Sequence, residues 1–62
     1  MWKIDKGADA AYFHFTDQRG PGIVHMTVDV GRHINLDFDI KGRLLGIEVL
    51  DLNVLPKGVA ND

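Results

Sequence analysis

A chain of 62 residues with no cysteine, seven basic against nine acidic residues and a formal net charge of −2 has room for one domain. It excludes a disulfide-stapled miniprotein and any cysteine-based zinc site. It also argues against a large enclosed cleft, an electrostatic nucleic-acid binder and, at 45% apolar and 26% charged residues, a disordered chain.

Apolar and polar residues alternate along most of the chain, which is the strand period. Trp2 and Ile4 alternate with Lys3 and Asp5 in a short first strand. Residues 5–9 read as a turn, with the Asp5 carboxylate available to free amides. A second strand is expected over 10–16, with Ala11, Phe13 and Phe15 on one face and Tyr12, His14 and Thr16 on the other. Residues 17–22 run Asp-Gln-Arg-Gly-Pro-Gly, the strongest loop signal in the chain. The third strand, 23–30, sets Val24, Met26, Val28 and Val30 against Ile23, His25, Thr27 and Asp29. Gly31-Arg32 marks a tight turn.

Residues 33–40 alternate most cleanly, with Ile34, Leu36, Phe38 and Ile40 opposed to His33, Asn35, Asp37 and Asp39. Asp39-Ile40-Lys41-Gly42 has the form of a type I turn whose glycine takes positive φ, with a bulge beside it. The fifth strand, 43–50, puts Leu45, Ile47 and Val49 on the core face and Leu44, Gly46, Glu48 and Leu50 on the other. Residues 51–56 read as a helical turn started by Asp51 and stopped before Pro56. The domain therefore spans 1–56, with 57–62 a frayed tail.

The pattern predicts an all-β domain, or α+β only through that short C-terminal turn. Short loops predict a single antiparallel five-stranded meander in which each strand pairs with the next. The expected inward set is Ile4, Phe13, Phe15, Val24, Met26, Val28, Ile34, Leu36, Phe38, Leu45, Ile47 and Val49.

Two segments carry a family resemblance. Ile4-Asp5-Lys6-Gly7-Ala8-Asp9-Ala10-Ala11-Tyr12 is similar to a Tyr-Asp-Lys-x-x-Asp-Ala-x-Tyr start. The stretch from Asp39 through Gly42, Leu44, Gly46, Ile47, Glu48 and Leu50 is similar to Asp-x-x-Gly-x-Leu-x-Gly-Ile-Glu-x-Leu. Together they resemble the domain of unknown function 2283, or YuzE-like, family of small bacterial proteins. Ile4 replaces the usual aromatic, and the 17–22 loop is atypical. The resemblance implies a small antiparallel sheet and a bacterial source. It brings no catalytic residue to transfer. Through toxin-like neighbours of other members, it implies an antitoxin-like partner role as an alternative function.

Three constellations of chemistry-bearing residues stand out. Residues 37–48 match several positions of a calcium-binding loop, but Lys41 stands where an oxygen ligand belongs and both flanks are strand-patterned. His14, His25 and His33 share a parity with Asp29, Asp37 and Asp39. If the 17–22 loop closes a hairpin, His14 lies opposite His25, and the two with Asp37 form a candidate zinc or nickel site. Their simpler reading is as surface histidines. Thr16, Thr27, Tyr12 and Lys3 are the remaining candidate nucleophiles or proton donors, in a chain without serine or cysteine. An open sheet gives them no water-restricted pocket, so no enzyme activity and no cofactor are expected.

Gly46 lies within a strand, where glycine is explained by a large side chain over it, such as Tyr12 or Trp2, or by a subunit contact. The leading expectation is a cytoplasmic, non-enzymatic interaction module that self-associates as a dimer. Its expected contact surface is the mixed face carrying Tyr12, Ile23, Leu44, Gly46 and Leu50. A protein partner is the alternative occupant. Neither nucleic acid nor membrane is an expected partner.

Overall fold

The computed structural model describes residues 2–18 and 22–59. Five strands follow one another: β1 (Trp2–Asp5), β2 (Ala10–His14), β3 (Met26–Gly31), β4 (Ile34–Phe38) and β5 (Leu44–Val49). A single 3-10 turn, Leu52–Val54, follows β5. All five strands join one open antiparallel sheet, as the alternation requires.

The strand order is β1-β2-β5-β4-β3, which corrects the expectation of consecutive pairing at one place. β2 pairs with β5, not with β3. The connection over residues 15–25 carries the chain to the far edge, and β3, β4 and β5 then return as hairpins, in a Greek-key order. Apolar alternation decides which face a residue takes but not which strand lies beside it. The most apolar strand, Leu44–Val49, gains most from two neighbours and takes the place between β2 and β4. Both edge strands carry charge, β1 through Lys3 and Asp5 and β3 through Asp29, and β3 is bulged between Asp29 and Gly31. Short length, charge and bulges all discourage further edge pairing.

Two turns set the hairpin registers. Arg32 and His33 join β3 to β4 with φ of 55° and 62°, the two left-handed positions of a type I′ turn. The 39–42 turn follows the expected chemistry. Asp39 Oδ1 accepts from the backbone amides of Lys41 and Arg43, both at 2.9 Å, and Gly42 takes φ of 79°. A register shift between Asp37 and Phe38 supplies the bulge.

The core is thin. Among the described residues, Ala11, Leu45, Val49 and Leu52 are the buried apolar ones. Leu52 seals the Ala11–Val49 pair, with Trp2, Ile4, Ile34, Ile47 and Leu55 packed around it. Two carboxylates fix this small roof. Asp51 caps the 3-10 turn by accepting from the Asn53 amide at 2.9 Å. Asp9, left-handed at φ 54°, accepts from the Leu52 amide at 3.1 Å and so ties the β1–β2 turn to the roof. The chain ends its turn in extended backbone at Leu55, before Pro56, as expected. Residues 57–59 form one further turn; residues 60–62 and the Arg19-Gly20-Pro21 part of the predicted loop lie outside the described residues.

The expected inward set is only partly inward. Phe15 and Met26 are each 54% exposed and Val28 is exposed as well, while Val24, also exposed, lies in the connection before β3, outside the strand that its expected face assumed. The reason is geometric. The Leu52 roof covers one end of the apolar face, and no other described element lies over the rest. Trp2, Phe13 and Phe15 form an edge-to-face aromatic row there, with ring centroids 5.1 and 4.9 Å apart.

Candidate functional site

The opposite face of the sheet is polar, and its register brings chemistry-bearing residues into two rows. One row runs His14, Gly46, Asp37 and Thr27 across β2, β5, β4 and β3. The next runs Lys3, Tyr12, Glu48, Asn35 and Asp29 across all five strands. Gly46 is the gap that links the rows. The Tyr12 ring lies over it, so that a Cβ built on Gly46 would fall 2.5 Å from both Cζ and Oη of Tyr12. Of the two readings of this glycine, a covering tyrosine is what the fold contains.

By lying across Gly46 the tyrosine reaches β4. Its hydroxyl donates to Asp37 Oδ2 at 2.7 Å, while the Thr27 hydroxyl donates to Asp37 Oδ1 at 2.6 Å. One carboxylate thus clasps β2, β4 and β3 from a single point. In the neighbouring row Asn35 Nδ2 donates to Glu48 Oε1 at 3.0 Å. Partial burial, then the hydrogen bond to Asp37, then the charges of Asp37 and Glu48 push the Tyr12 phenol well above the ordinary tyrosine range. Its proton therefore stays on oxygen at physiological pH. The Tyr12 and Thr27 hydroxyl protons point at an acceptor, and neither oxygen is primed as a nucleophile.

Beside the clasp is a cleft of about 340 Å³. Lys3, Tyr12, His14 and Asp37 form its floor, and Gln18, Ile23 and Val24 from the β2–β3 connection form its wall. His14 stacks obliquely on Tyr12, with centroids 4.5 Å apart.

The three predicted metal ligands do not converge. His14 pairs with Gly46, and both β5 and β4 lie between its strand and β3, so the His14–His25 pairing behind that expectation is overturned by the strand order. His14 and Asp37 share a row and a cleft. His25 lies just before β3, its amide bonded to the Phe38 carbonyl at 2.8 Å, and lines a different hollow. His33 belongs to the strained β3–β4 turn at the far end. Among the described residues, no three His, Cys, Asp or Glu side chains are grouped to hold a metal. In the calcium-like segment Asp39 is engaged by the turn and by the Arg43 guanidinium, whose Nε stands 2.7 Å from Oδ2. Chiefly through the Arg43 backbone amide, these partners lower the Asp39 carboxyl below its usual value.

The five residues expected to form an association surface are dispersed. Tyr12 and Gly46 occupy each other, and Ile23 lines the cleft wall. Leu44, which opens β5, and Leu50, just beyond its end, are both exposed. Sequence reasoning treated Thr27 and Tyr12 as isolated hydroxyls and missed their common acceptor, because seeing it requires the β4–β5 and β2–β5 registers together.

A family model described as a protein of unknown function, DUF2283, matches residues 2–53. The chain belongs to the DUF2283 family. The match takes in every strand, the clasp and the start of the roof, so the Asp5–Tyr12 and Asp39–Leu50 motifs coincide with the hairpins that carry them. Neither a curated protein nor a solved structure matches the chain. Among the described residues no helix is long and apolar enough to cross a membrane.

Proposed function

We propose that this DUF2283 protein is a non-enzymatic protein-interaction module that works as a self-associated sheet, two copies covering each other's apolar faces. The observation that carries this reading is the open face beyond the Leu52 roof, where Phe15, Met26 and Val28 are all exposed. The polar face is less suited to the task, because Tyr12, Asp37 and Thr27 have already satisfied one another.

The areas agree. The chain exposes 4620 Å². A compact monomer of 6.9 kDa should expose about 4000 Å². The excess of about 600 Å² approaches the roughly 800 Å² that each partner contributes to a standard interface. Two open sheets stacked face to face, about 10 Å apart, make the β-sandwich that a single five-stranded sheet lacks.

Thermal unfolding across protein concentrations tests this. A dimer held together by that face gains stability by mass action. Taking about 0.7 kcal/mol of unfolding enthalpy per residue, Tm should rise by about 10 °C over a hundredfold increase in concentration. A Tm independent of concentration would overturn the reading.

A further inference from the structure

The apolar face is not uniform. At the end away from the roof, Met26 and Val28 of β3 and Phe38 of β4 line an apolar trough of about 490 Å³, with Ile40 and Gly42 of the 39–42 turn on its rim. Ile40 is 77% exposed. It is the most exposed large apolar side chain among the described residues, on a turn whose chemistry needs only Asp39 and Gly42. Nothing in the turn's hydrogen bonding calls for an isoleucine there. A protruding knob beside an apolar hollow on the same rim is self-complementary: a two-fold axis between them sends each knob into the other copy's hollow.

We propose that Ile40 of one copy inserts into the Met26–Val28–Phe38 trough of a second copy, and that this reciprocal pair of contacts is the anchor of the dimer. The inference rests on the self-association proposed above and adds its occupant, register and anchoring residue. Three observations select a second copy seated on the face. The excess surface of about 600 Å² approaches the roughly 800 Å² that one half of a dimer contributes. The carboxylate lining the trough, Asp39, is paired with Arg43, so two like-charged chains meet there without opposed bare charges. Pairing along the free β3 edge is the rival geometry, and it is opposed by the bulge after Asp29 and by the Asp29 carboxylate itself.

Dilution calorimetry of wild-type protein and of Ile40→Ser measures the effect. Burying one isoleucine is worth roughly tenfold or more in an equilibrium, and the symmetric interface buries two, so Kd should rise by about 100-fold or more. Ile40→Leu should remain within about tenfold of wild type. Because the chain has no cysteine, a second measurement is direct. Mixing Ile40→Cys with Met26→Cys protein under mild oxidation should give the mixed disulfide dimer, identified by its mass. A wild-type dimer whose Kd is unchanged by Ile40→Ser, or the absence of a mixed cross-link between the two cysteine variants when wild type dimerises, overturns the anchor and leaves the self-association reading standing. No heat of dilution from the wild-type chain, together with no mixed cross-link between the two cysteine variants, overturns both.

Discussion

Gly46→Ala is the substitution whose outcome the structure constrains most tightly. Gly46 has ordinary strand backbone, so alanine brings no conformational penalty, and in a strand interior it should add roughly 0.5–1 kcal/mol of stability over glycine. Here the added methyl meets the Tyr12 ring, with Cζ and Oη both at 2.5 Å. The ring must move away, and the 2.7 Å hydrogen bond to Asp37 goes with it. Overpacking of this kind costs about 1–3 kcal/mol, and a hydrogen bond to a charged acceptor is worth about 1.5–3 kcal/mol. The phenol is only partly buried, so water replaces some of that bond, and the lower end of each range applies. After the strand-propensity gain, the net loss is about 2 kcal/mol, or roughly 10 °C in Tm for a domain of this size. Urea unfolding at one fixed protein concentration reads it out. The decisive arm is the same substitution in a Tyr12→Ala background, where the space is vacant and Gly46→Ala should become stabilising by about 0.5 kcal/mol. Equal destabilisation in both backgrounds would refute the argument that the ring is what requires glycine.

Three further outcomes follow from named contacts. Tyr12 is the single tyrosine, so its ionisation near 295 nm has one source. Its folded-state pKa lies above the unfolded value of 10.0, so the stability it lends is complete below pH 10 and fades as pH rises beyond that. The folded protein should therefore show no phenolate at pH 10.5, and phenolate should appear only with unfolding; a midpoint near 10 in folded protein would contradict the clasp. His33→Gly relieves a left-handed residue at φ 62° in the β3–β4 turn and should stabilise by roughly 1 kcal/mol in urea unfolding, whereas an unchanged midpoint would mean that the turn carries no strain. Leu52→Ala removes the roof from Ala11 and Val49 at a cost of about 2–5 kcal/mol, comparable to the whole stability of so small a domain. Its circular dichroism at 25 °C should be that of a largely unfolded chain, and a native spectrum would show that the roof is dispensable.

Much of this architecture was legible from residue pattern. Strict alternation placed all five strands to within a few residues, Asp39 and Gly42 announced their turn, and Asp51 with Pro56 bracketed the 3-10 turn. These are local signals, each satisfied within a few bonds of the residue that carries it. The strand order was not legible, because alternation is blind to neighbours and the 15–25 connection suits either a hairpin or a crossing. The expected His14–His25 pairing depended on that one choice: His14 lies on β2, His25 just before β3, and β2 and β3 do not pair. The Tyr12–Asp37–Thr27 clasp was hidden for the same reason: its members come from three strands and meet only in the observed register. Gly46 was the one sequence clue to it, an otherwise costly glycine that Tyr12 explains. The inward set erred in the other direction. Phe15, Met26 and Val28 face the apolar side as their parity demands, but among the described residues no second layer covers them.

That missing layer is the centre of the account, and sedimentation equilibrium of the wild-type chain addresses it most directly. Across low to high micromolar concentrations, the weight-average mass should climb to twice the 6.9 kDa of one chain and level off there. A mass that stays at one chain through the high micromolar range would contradict the claim that a second copy completes the sheet.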